Sequence, residues 1–316
     1  MAGTLLLAVI LTVGACWFIQ ILYRSGQPTD IPSNVQLEVT PTAVAAQASS
    51  TVVANTPAAG PGDVSPTTTA DPQLPLLGRR IGLDPGHGPR DDLGAVLVDP
   101  ETGKLTLYEE ELTLDLAMRT RDILVARGAS VVLTRESADT FTGVPWPADV
   151  NDDGVEGSVS DDLQARIDIL NDFDAEVFLS IHANGGVLDK SRREDVQVIY
   201  CGADDCPYPV ENKKVGRFVL DRLMAALAST ANTQFGGELV DDLDADSSDP
   251  PLHMFVLGPV NGPRHVRDVN MPGVICESLY VTSPEHAKQL KKDDVRQAIA
   301  LAYANGLQDY LTGGSE

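Results

Sequence analysis

The sequence contains few cysteines, few aromatic side chains and few basic residues for its length. Four cysteines in 316 residues are too few for a scaffold held by disulfides, so a hydrophobic core must supply most of the stability. The 23 basic residues are outnumbered by 46 acidic ones, which gives a formal net charge of -23. Because so acidic a chain is repelled by phosphate backbones and by anionic lipid head groups, the composition argues against nucleic-acid binding.

An uncharged apolar run, residues 4–22, lies near the start of the sequence. At about 1.5 Å per residue a helix over this run would extend ~28 Å, close to the roughly 30 Å of a bilayer's hydrocarbon core. The run lacks a preceding basic segment and a clear small-residue cleavage site, which favours an uncleaved anchor over a secretory signal. We therefore predict a transmembrane anchor over residues 1–24, with a cleaved signal sequence as the alternative.

In residues 25–77 the composition changes to proline, threonine, alanine, valine and serine. Such a segment buries too little apolar surface to offset the entropy cost of ordering it. We predict a disordered tether here, which would let a following domain sample a zone some distance from a membrane. The folded domain is then predicted to comprise residues 78–316.

Strand and helix patterns alternate after Gly78. Short apolar runs bounded by turn-forming residues predict strands, and apolar residues at helical spacing predict helices. The predicted strands are residues 80–84, 129–133, 175–181, 196–200 and 273–277, and the predicted helices are residues 110–127, 163–170, 212–228 and most of 284–311. This alternation predicts a single α/β domain with a mostly parallel twisted sheet and helices on both faces.

Ligands of such sheets bind in the crevice at the carboxyl ends of the strands. His87 and His182 each follow a predicted strand, and Glu277 ends another. Two imidazoles at neighbouring strand ends suit Zn²⁺, whose catalytic sites use three protein ligands and keep a position open. The remaining histidines have no matching partner and are predicted to lie on the surface or in the cleft; they are His253, His265 and His286.

Six blocks of the sequence resemble the type 3 N-acetylmuramoyl-L-alanine amidases, which are zinc-dependent enzymes that act on peptidoglycan. They include Asp-Pro-Gly-His-Gly at residues 84–88 and Ser-Ile-His-Ala-Asn at residues 180–184. The blocks occur in the family's order and are residues 81–88, 109–117, 132–135, 163–171, 178–184 and 271–285. One such block would be weak evidence, but six in order make the resemblance specific.

The resemblance implies a zinc site formed by His87, Glu109 and His182, and it implies that Glu277 is the catalytic residue. Glu109 is the first of three consecutive glutamates. It is selected because the family's ligand stands eight residues before the alanine that closes its helix motif, which is Ala117 here. The other two glutamates are those of a helix N-terminus, where acidic side chains complement the helix dipole.

Supporting roles are predicted for Asp84, Asn184 and Arg166. Ligating imidazoles usually donate a hydrogen bond to a carboxylate or a carbonyl, so Asp84 either orients His87 or caps the turn that follows. Asn184 is predicted to brace the loop after His182. Arg166 matches a family position at which an ion pair that stabilises the fold is the favoured role.

The resemblance also implies the reaction, which is hydrolysis of the amide bond between N-acetylmuramic acid and L-alanine by a zinc-activated water and a glutamate base. The anchor and tether would hold the catalytic domain on the extracytoplasmic, cell-wall side of a membrane. A regulatory partner is compatible with the sequence but is not identified by it. Two alternatives are a non-catalytic wall-binding module on the same fold, and a zinc peptidase or deacetylase of cell-wall material.

An aspartate-rich stretch resembles the opening of a calcium loop, with oxygen-bearing side chains at alternate positions in Asp149, Asn151 and Asp153. The twelfth position lacks the glutamate that closes such a loop, so an Asx-rich surface turn is the default interpretation and Ca²⁺ the alternative. Residues 137–162, which contain this stretch, and the acidic run 241–249 are both predicted to line the rim of the cleft.

Cys201 and Cys206 lie five positions apart in a turn-rich stretch. A small disulfide loop between them is one interpretation, provided that the compartment is oxidising. Metal binding by the pair is the weaker interpretation, because no other cysteine or histidine lies nearby in the sequence.

Overall fold

The chain is described from a computed structural model, which covers residues 74–88, 92–186, 194–231, 233–260 and 262–314. The predicted anchor and residues 25–73 of the predicted tether lie outside the described residues. None of the described helices combines the length and the hydropathy that a bilayer-spanning segment requires. Leu76 is fully buried, so the packed domain begins before Gly78, the boundary that the composition suggested.

Eight strands and six helices occur in the described residues. The strands are β1 (Arg80–Pro85), β2 (Val96–Val98), β3 (Leu105–Tyr108), β4 (Ser130–Leu133), β5 (Val177–Asn184), β6 (Val196–Tyr200), β7 (Gly237–Asp241) and β8 (Gly273–Tyr280). The helices are α1 (Glu109–Ala126), α2 (Val159–Asp172), α3 (Pro209–Thr230), α4 (Asp242–Ala245), α5 (Pro284–Leu290) and α6 (Asp293–Thr312). Each predicted strand and helix is present within a few residues of its predicted bounds.

Six strands form one sheet in the order β4-β1-β5-β8-β6-β7. The first four are parallel neighbours, whereas β6 pairs antiparallel with β8 and parallel with β7. The mostly parallel sheet is therefore confirmed. Because β6 and β7 are reversed, their carboxyl ends lie at the opposite edge of the sheet from the carboxyl ends of β1, β5 and β8.

Alternate side chains of β5 enter two different cores. Leu179 and Ile181 pack in a core with apolar residues of α1, α3 and α6. Phe178 lies in a second core with Ile167 and Leu170 of α2. Since successive residues of a strand point to opposite faces, a central strand covered on both faces must be apolar throughout. Helices on both faces of the sheet, as predicted, are thus confirmed.

Three elements were not predicted, namely the β2–β3 hairpin, β7 and the short α4. The three strands are only 3, 4 and 5 residues long and are mostly exposed or half-buried, and runs this short are difficult to recognise as strands in a sequence. The hairpin matters for the site because β3 leads directly into α1 and so places the first residue of that helix.

The prediction that the acidic run 241–249 lines the rim of the cleft is wrong. The run follows β7, whose carboxyl end lies at the other edge of the sheet from His182 and Glu277. Asp242, within the run, is fully buried rather than exposed at a rim. The direction of an edge strand decides this placement, and the sequence does not encode it locally.

Candidate metal centre

His87 stands in the loop that leaves the carboxyl end of β1. Its backbone has a φ of 61°, in the left-handed region that non-glycine residues rarely occupy. Gly86 is required by space, because a Cβ at that position would lie 2.3 Å from the imidazole of His182. The two imidazole rings can therefore approach to 5.0 Å between centroids.

Arg166 of α2 holds this loop in place. Its guanidinium donates hydrogen bonds to the carbonyl oxygens of Pro85, His87 and Gly88 at 2.9, 2.8 and 2.6 Å. Asp84 pairs with the same guanidinium at 2.8 Å. Although burial raises the pKa of Asp84, Arg166 and two hydroxyl hydrogen bonds keep that pKa below its ordinary value. The ion pair predicted for Arg166 is present, and it positions the loop that carries the histidine.

A second buried arginine, Arg135, approaches the same loop. It donates to the carbonyl oxygens of Pro85 at 3.0 Å and of Gly86 at 2.8 Å. Together with Arg166, it therefore supplies a hydrogen bond to every carbonyl from Pro85 to Gly88. A loop with all of its acceptors satisfied by buried donors is fixed, and its histidine is presented in one orientation.

Glu109 is the first residue of α1 and is 3% exposed. Its carboxylate accepts hydrogen bonds from the backbone amides of Ala95 at 2.8 Å and Ala183 at 3.0 Å. One oxygen, Oε1, lies 3.0 Å from Nε2 of His87 and 3.2 Å from Nδ1 of His182. The ligand atoms of the three residues all lie within 4.8 Å of one another.

The other two glutamates of the triplet point elsewhere. Glu110 forms an ion pair with Arg135 at 3.5 Å, and Glu111 is exposed. Of the three, Glu109 is the one whose carboxylate reaches both histidines. The geometry therefore agrees with the position that the family resemblance selects.

Asp92 fills the role that was considered for Asp84. Its carboxylate oxygens lie 3.1 and 3.2 Å from Nδ1 of His87, which leaves Nε2 directed at Glu109. Asp84 instead bonds to Arg166, Ser180 and Thr134. Asp92 is the residue that sequence reasoning missed, because it lies in an irregular loop without a periodic pattern.

The buried carboxylate of Glu109 dominates the electrostatics of the cluster. Burial raises the pKa of Glu109, but the imidazoles of His87 and His182 hold it below the ordinary carboxyl range, so the group is ionised. Burial lowers the pKa of His87, yet the carboxylates of Glu109 and Asp92 raise it to about 10. The cluster thus stabilises positive charge at the point where the three ligand atoms meet.

Glu277 lies beside this cluster through the register of the sheet. On β8 it is the direct partner of His182 on β5, and residues paired in this way project to the same face of a sheet. It is 4% exposed. The side-chain amide of Asn184 is 3.5 Å from the carbonyl oxygen of Glu277, so Asn184 links the two strands rather than a loop. His182 and Glu277 both lie within their strands, because β5 and β8 each continue about three residues beyond the predicted ends, to Asn184 and Tyr280.

The three residues fit a zinc ion. Zn²⁺ takes imidazole nitrogen and carboxylate oxygen at about 2.0–2.2 Å, so the ligand atoms of a tetrahedral site are about 3.3 Å apart. The separations of 3.0 and 3.2 Å between Glu109 Oε1 and the two imidazoles are close to that value. The side chains of His87 and His182 are 21% and 19% exposed, so a substrate can reach this side of the cluster.

Residues 81–309 match the model of the N-acetylmuramoyl-L-alanine amidase family. The germination-specific N-acetylmuramoyl-L-alanine amidase of Bacillus subtilis is 30% identical over 242 residues, which are 76% of this chain and 82% of that protein. The chain belongs to the N-acetylmuramoyl-L-alanine amidase family. The amidase AmiA of Escherichia coli is 26% identical over 250 residues, covering 74% of this chain and 76% of that one.

A solved structure of a family member has the same fold. The CwlD amidase of Clostridioides difficile, determined in complex with the GerS lipoprotein, superposes with a TM-score of 0.50 at 20% sequence identity. The likeness covers 74% of this chain and 99% of that one. At this level of identity the comparison bears on the fold alone.

Two of the remaining histidines of the present chain, His265 and His286, are buried. This corrects the prediction that they lie on the surface or in the cleft. His265 is 2% exposed and stacks on Phe255, with ring centroids 4.1 Å apart. His286 is also 2% exposed, and its Nδ1 accepts a hydrogen bond from the backbone amide of Tyr280 at 3.1 Å. The ring of His286 also contacts that of Phe235, a residue far away in the chain, so the sequence around this histidine does not reveal its burial.

The aspartate-rich loop has the contacts of a surface Asx turn. Asp149 accepts hydrogen bonds from the amides of Asp153 at 3.0 Å and Gly154 at 2.9 Å. Asn151 accepts from the amide of Asp153 as well, and Asp153 accepts from that of Val155. These bonds account for the residue pattern without an ion, and nothing in them supports the calcium alternative.

The disulfide between Cys201 and Cys206 is present, as the first interpretation of the pair predicted. It lies just after β6, and both cysteines are buried. Of the described residues, Cys276 is the free cysteine; it is buried on β8, where burial raises the pKa of its thiol to about 12.

Proposed function

We propose that this chain hydrolyses the amide bond between N-acetylmuramic acid and the first L-alanine of the peptidoglycan stem, with His87, Glu109 and His182 as zinc ligands. The observation that carries the proposal is the convergence of these three side chains, with Glu277 in register beside His182. Membership of the amidase family supports the reaction and the substrate.

Each ligand has a defined donor atom. Nε2 of His87, Nδ1 of His182 and Oε1 of Glu109 face one another, while Asp92 holds Nδ1 of His87. When bound there, Zn²⁺ supplies a Lewis acid that activates water and polarises the amide carbonyl. The second oxygen of Glu109 stays with the amide of Ala95, so the carboxylate is oriented without help from the ion.

Glu277 is assigned the role of general base. Its carboxylate would accept the proton of the attacking water and then deliver it to the nitrogen of the departing L-alanine. The pairing of Glu277 with His182 on the neighbouring strand supports this role, because it places the carboxylate beside the metal centre. Asn184 holds the backbone of Glu277 against β5 and so acts as a positioning residue.

We further propose that residues 1–24 anchor the chain in a membrane and that the tether places the domain at the cell wall. As a flexible coil, some fifty residues have a root-mean-square span of about 40 Å. Fractionation of cells that express the full chain or a chain without residues 1–24 tests the anchor. Recovery of both proteins in the same soluble fraction would exclude it. A regulatory partner is compatible with this placement, and the CwlD amidase was solved with a lipoprotein bound.

The reaction is tested by incubating the purified full chain, loaded with Zn²⁺, with purified peptidoglycan and analysing the released material by mass spectrometry. We expect stem peptides that begin with a free L-alanine amine. Release of acetate would instead identify a deacetylase, and cleavage within the stem would identify a peptidase. If no product forms although the chain binds the wall material, the non-catalytic binding module is the better description.

A further inference from the structure

A second group of metal-ligating side chains lies at the other edge of the sheet. It consists of Cys201, Cys206, Asp242 and His253, whose ligand atoms all lie within 4.8 Å of one another. We call it the cysteine cluster. Two sulfurs, one imidazole and one carboxylate make up a set of four ligands of the types that Zn²⁺ uses in closed, tetrahedral structural sites.

The reversed strand pair builds this cluster. β6 and β7 are parallel neighbours in which Tyr200 pairs with Asp241. The next residue of each strand, Cys201 and Asp242, therefore leaves the sheet at the same edge and at the same height. Because carboxyl ends of parallel strands collect ligands, the molecule has one such edge at β1, β5 and β8 and another at β6 and β7.

His253 lies at the centre of the cysteine cluster. Its Nδ1 is 3.4 Å from Sγ of Cys201, 3.9 Å from Sγ of Cys206 and 3.1 Å from Oδ2 of Asp242. Its other nitrogen, Nε2, lies 3.4 Å from a carboxylate oxygen of Asp205. This is the arrangement found around metal-binding histidines, in which one nitrogen faces the ion and the other donates to a carboxylate.

Burial distinguishes the cluster from an ordinary surface turn. Cys201 and Asp242 are fully buried and Cys206 is 7% exposed. A buried carboxylate is costly unless partners satisfy its oxygens. With the disulfide intact, Oδ2 of Asp242 lies 3.1 Å from Nδ1 of His253 and accepts a hydrogen bond from the backbone amide of Met254 at 3.0 Å.

We infer that reduction of the Cys201–Cys206 disulfide converts the cysteine cluster into a Zn²⁺ site. A dithiol reductant would transfer two electrons and two protons to the disulfide, becoming a disulfide itself and leaving two thiols. Thiolates are the form of cysteine that binds metal, so Zn²⁺ entry would release the two thiol protons. The four residues between the cysteines match the spacing of zinc-binding cysteine pairs. The inference does not depend on the proposed wall-hydrolase function.

The full chain tests the inference with its own oxidised form as the control. The oxidised protein and protein reduced by a phosphine are loaded with Zn²⁺, desalted and analysed for zinc per chain. The phosphine becomes its oxide by taking oxygen from water, and it supplies no competing thiol. We expect one more zinc per chain after reduction. An equal zinc content in both forms would overturn the inference.

Cobalt identifies the ligands. Co²⁺ bound by the reduced chain should give a sulfur-to-cobalt charge-transfer band, which the oxidised chain and the double variant Cys201→Ser, Cys206→Ser should lack. Asp242→Asn should lower the Co²⁺ affinity of this site by at least about tenfold. Asp244→Asn, at an exposed position nearby, should leave that affinity unchanged. A band that persists in the double variant, or an affinity equally affected by both aspartate variants, would contradict the assignment.

The zinc count also separates this inference from the proposed function. Zinc retained by the oxidised chain reports the centre of His87, Glu109 and His182, and the increment on reduction reports the cysteine cluster. An oxidised chain without zinc and a reduced chain with one zinc would contradict the metal centre alone. One zinc in each form would contradict the cysteine cluster alone.

Discussion

Two regions of this chain carry closely spaced acidic side chains that suggest metal binding, and they differ in how those side chains are used. In the metal centre, the amides of Ala95 and Ala183 hold Glu109 so that one oxygen faces both histidines. In the aspartate-rich loop, the carboxylates bond to amides of their own loop, as Asp149 does with Asp153. The first arrangement joins three separate elements at one point, and the second closes a turn.

The difference shows that the number of carboxylates is a poor guide to a metal site. Local hydrogen bonds satisfy an aspartate in a turn at no further cost. A buried carboxylate directed at two imidazoles is stable only with a compensating charge, which a proton on His87 or a cation supplies. Convergence from distant parts of the chain is therefore the stronger evidence for a metal centre.

The largest effect is expected from Glu109→Ala. The variant removes the ligand that links both histidines, so we expect loss of bound zinc and of stem-peptide release below detection. Glu111→Ala is the matched control, because Glu111 is the exposed glutamate of the same triplet. Zinc analysis and the release assay check both variants. Equal loss in the two would mean that the triplet acts through its charge and not through one ligand.

The second largest effect on activity is expected from Glu277→Gln. If Glu277 is the general base, the variant should retain its zinc and lose activity by about 10²–10⁴-fold. Glu285→Gln serves as the control, since Glu285 is exposed at the start of α5. A variant of Glu277 that keeps wild-type activity, or that loses zinc along with activity, would refute the assigned role.

A smaller effect is expected from Asp92→Asn. The change replaces the carboxylate that fixes Nδ1 of His87, and such partners of ligating histidines contribute about 10–100-fold to metal affinity. Competition with a zinc chelator measures the affinity. Asp99→Asn is the control. In the turn of the β2–β3 hairpin, Asp99 accepts hydrogen bonds from two backbone amides, and an asparagine can still accept them. An unchanged zinc affinity in Asp92→Asn would show that the hydrogen bond has no part in binding.

The smallest effect is expected in the aspartate-rich loop. Asp149→Ala removes two turn hydrogen bonds and should lower the free energy of unfolding by about 1 kcal/mol. Glu156→Ala, at an exposed position of the same loop, should have less effect. Denaturant titration measures both, and addition of Ca²⁺ should leave the melting temperature unchanged. A rise in Tm with Ca²⁺ that Asp149→Ala abolishes would restore the calcium alternative.

Much of the metal centre could be predicted from the sequence because its residues follow strongly patterned elements. His87 and His182 follow apolar strand residues, and the family blocks supply Glu109 and Glu277. Asp92 could not be found in this way, since a loop residue has no periodicity to mark it. The hydrogen bonds by which Arg135 and Arg166 hold the loop could not be predicted either, because their acceptors are backbone carbonyls, which every residue possesses.

The cysteine cluster shows most clearly what could not be predicted from the sequence. In the sequence, no histidine lies near Cys201 and Cys206, and a metal site was the weaker interpretation for that reason. His253 is 47 residues beyond Cys206, and it joins the pair because β7 lies beside β6. The parallel pairing of β7 with β6 decides this, and an edge strand of only 5 residues is difficult to recognise in a single sequence.

By itself, the sequence determined the alternation of strands and helices, the mostly parallel sheet and the position of His87 and His182 after strand residues. These features follow from local patterns of apolar and turn-forming residues, which act over a few positions. The family resemblance supplied Glu109 and Glu277. Only the tertiary structure decided which way β6 and β7 run, which carboxylate orients His87 and which histidines are buried. Those outcomes depend on contacts between residues far apart in the chain. Such contacts stabilise the structure only once the helices and strands have packed together.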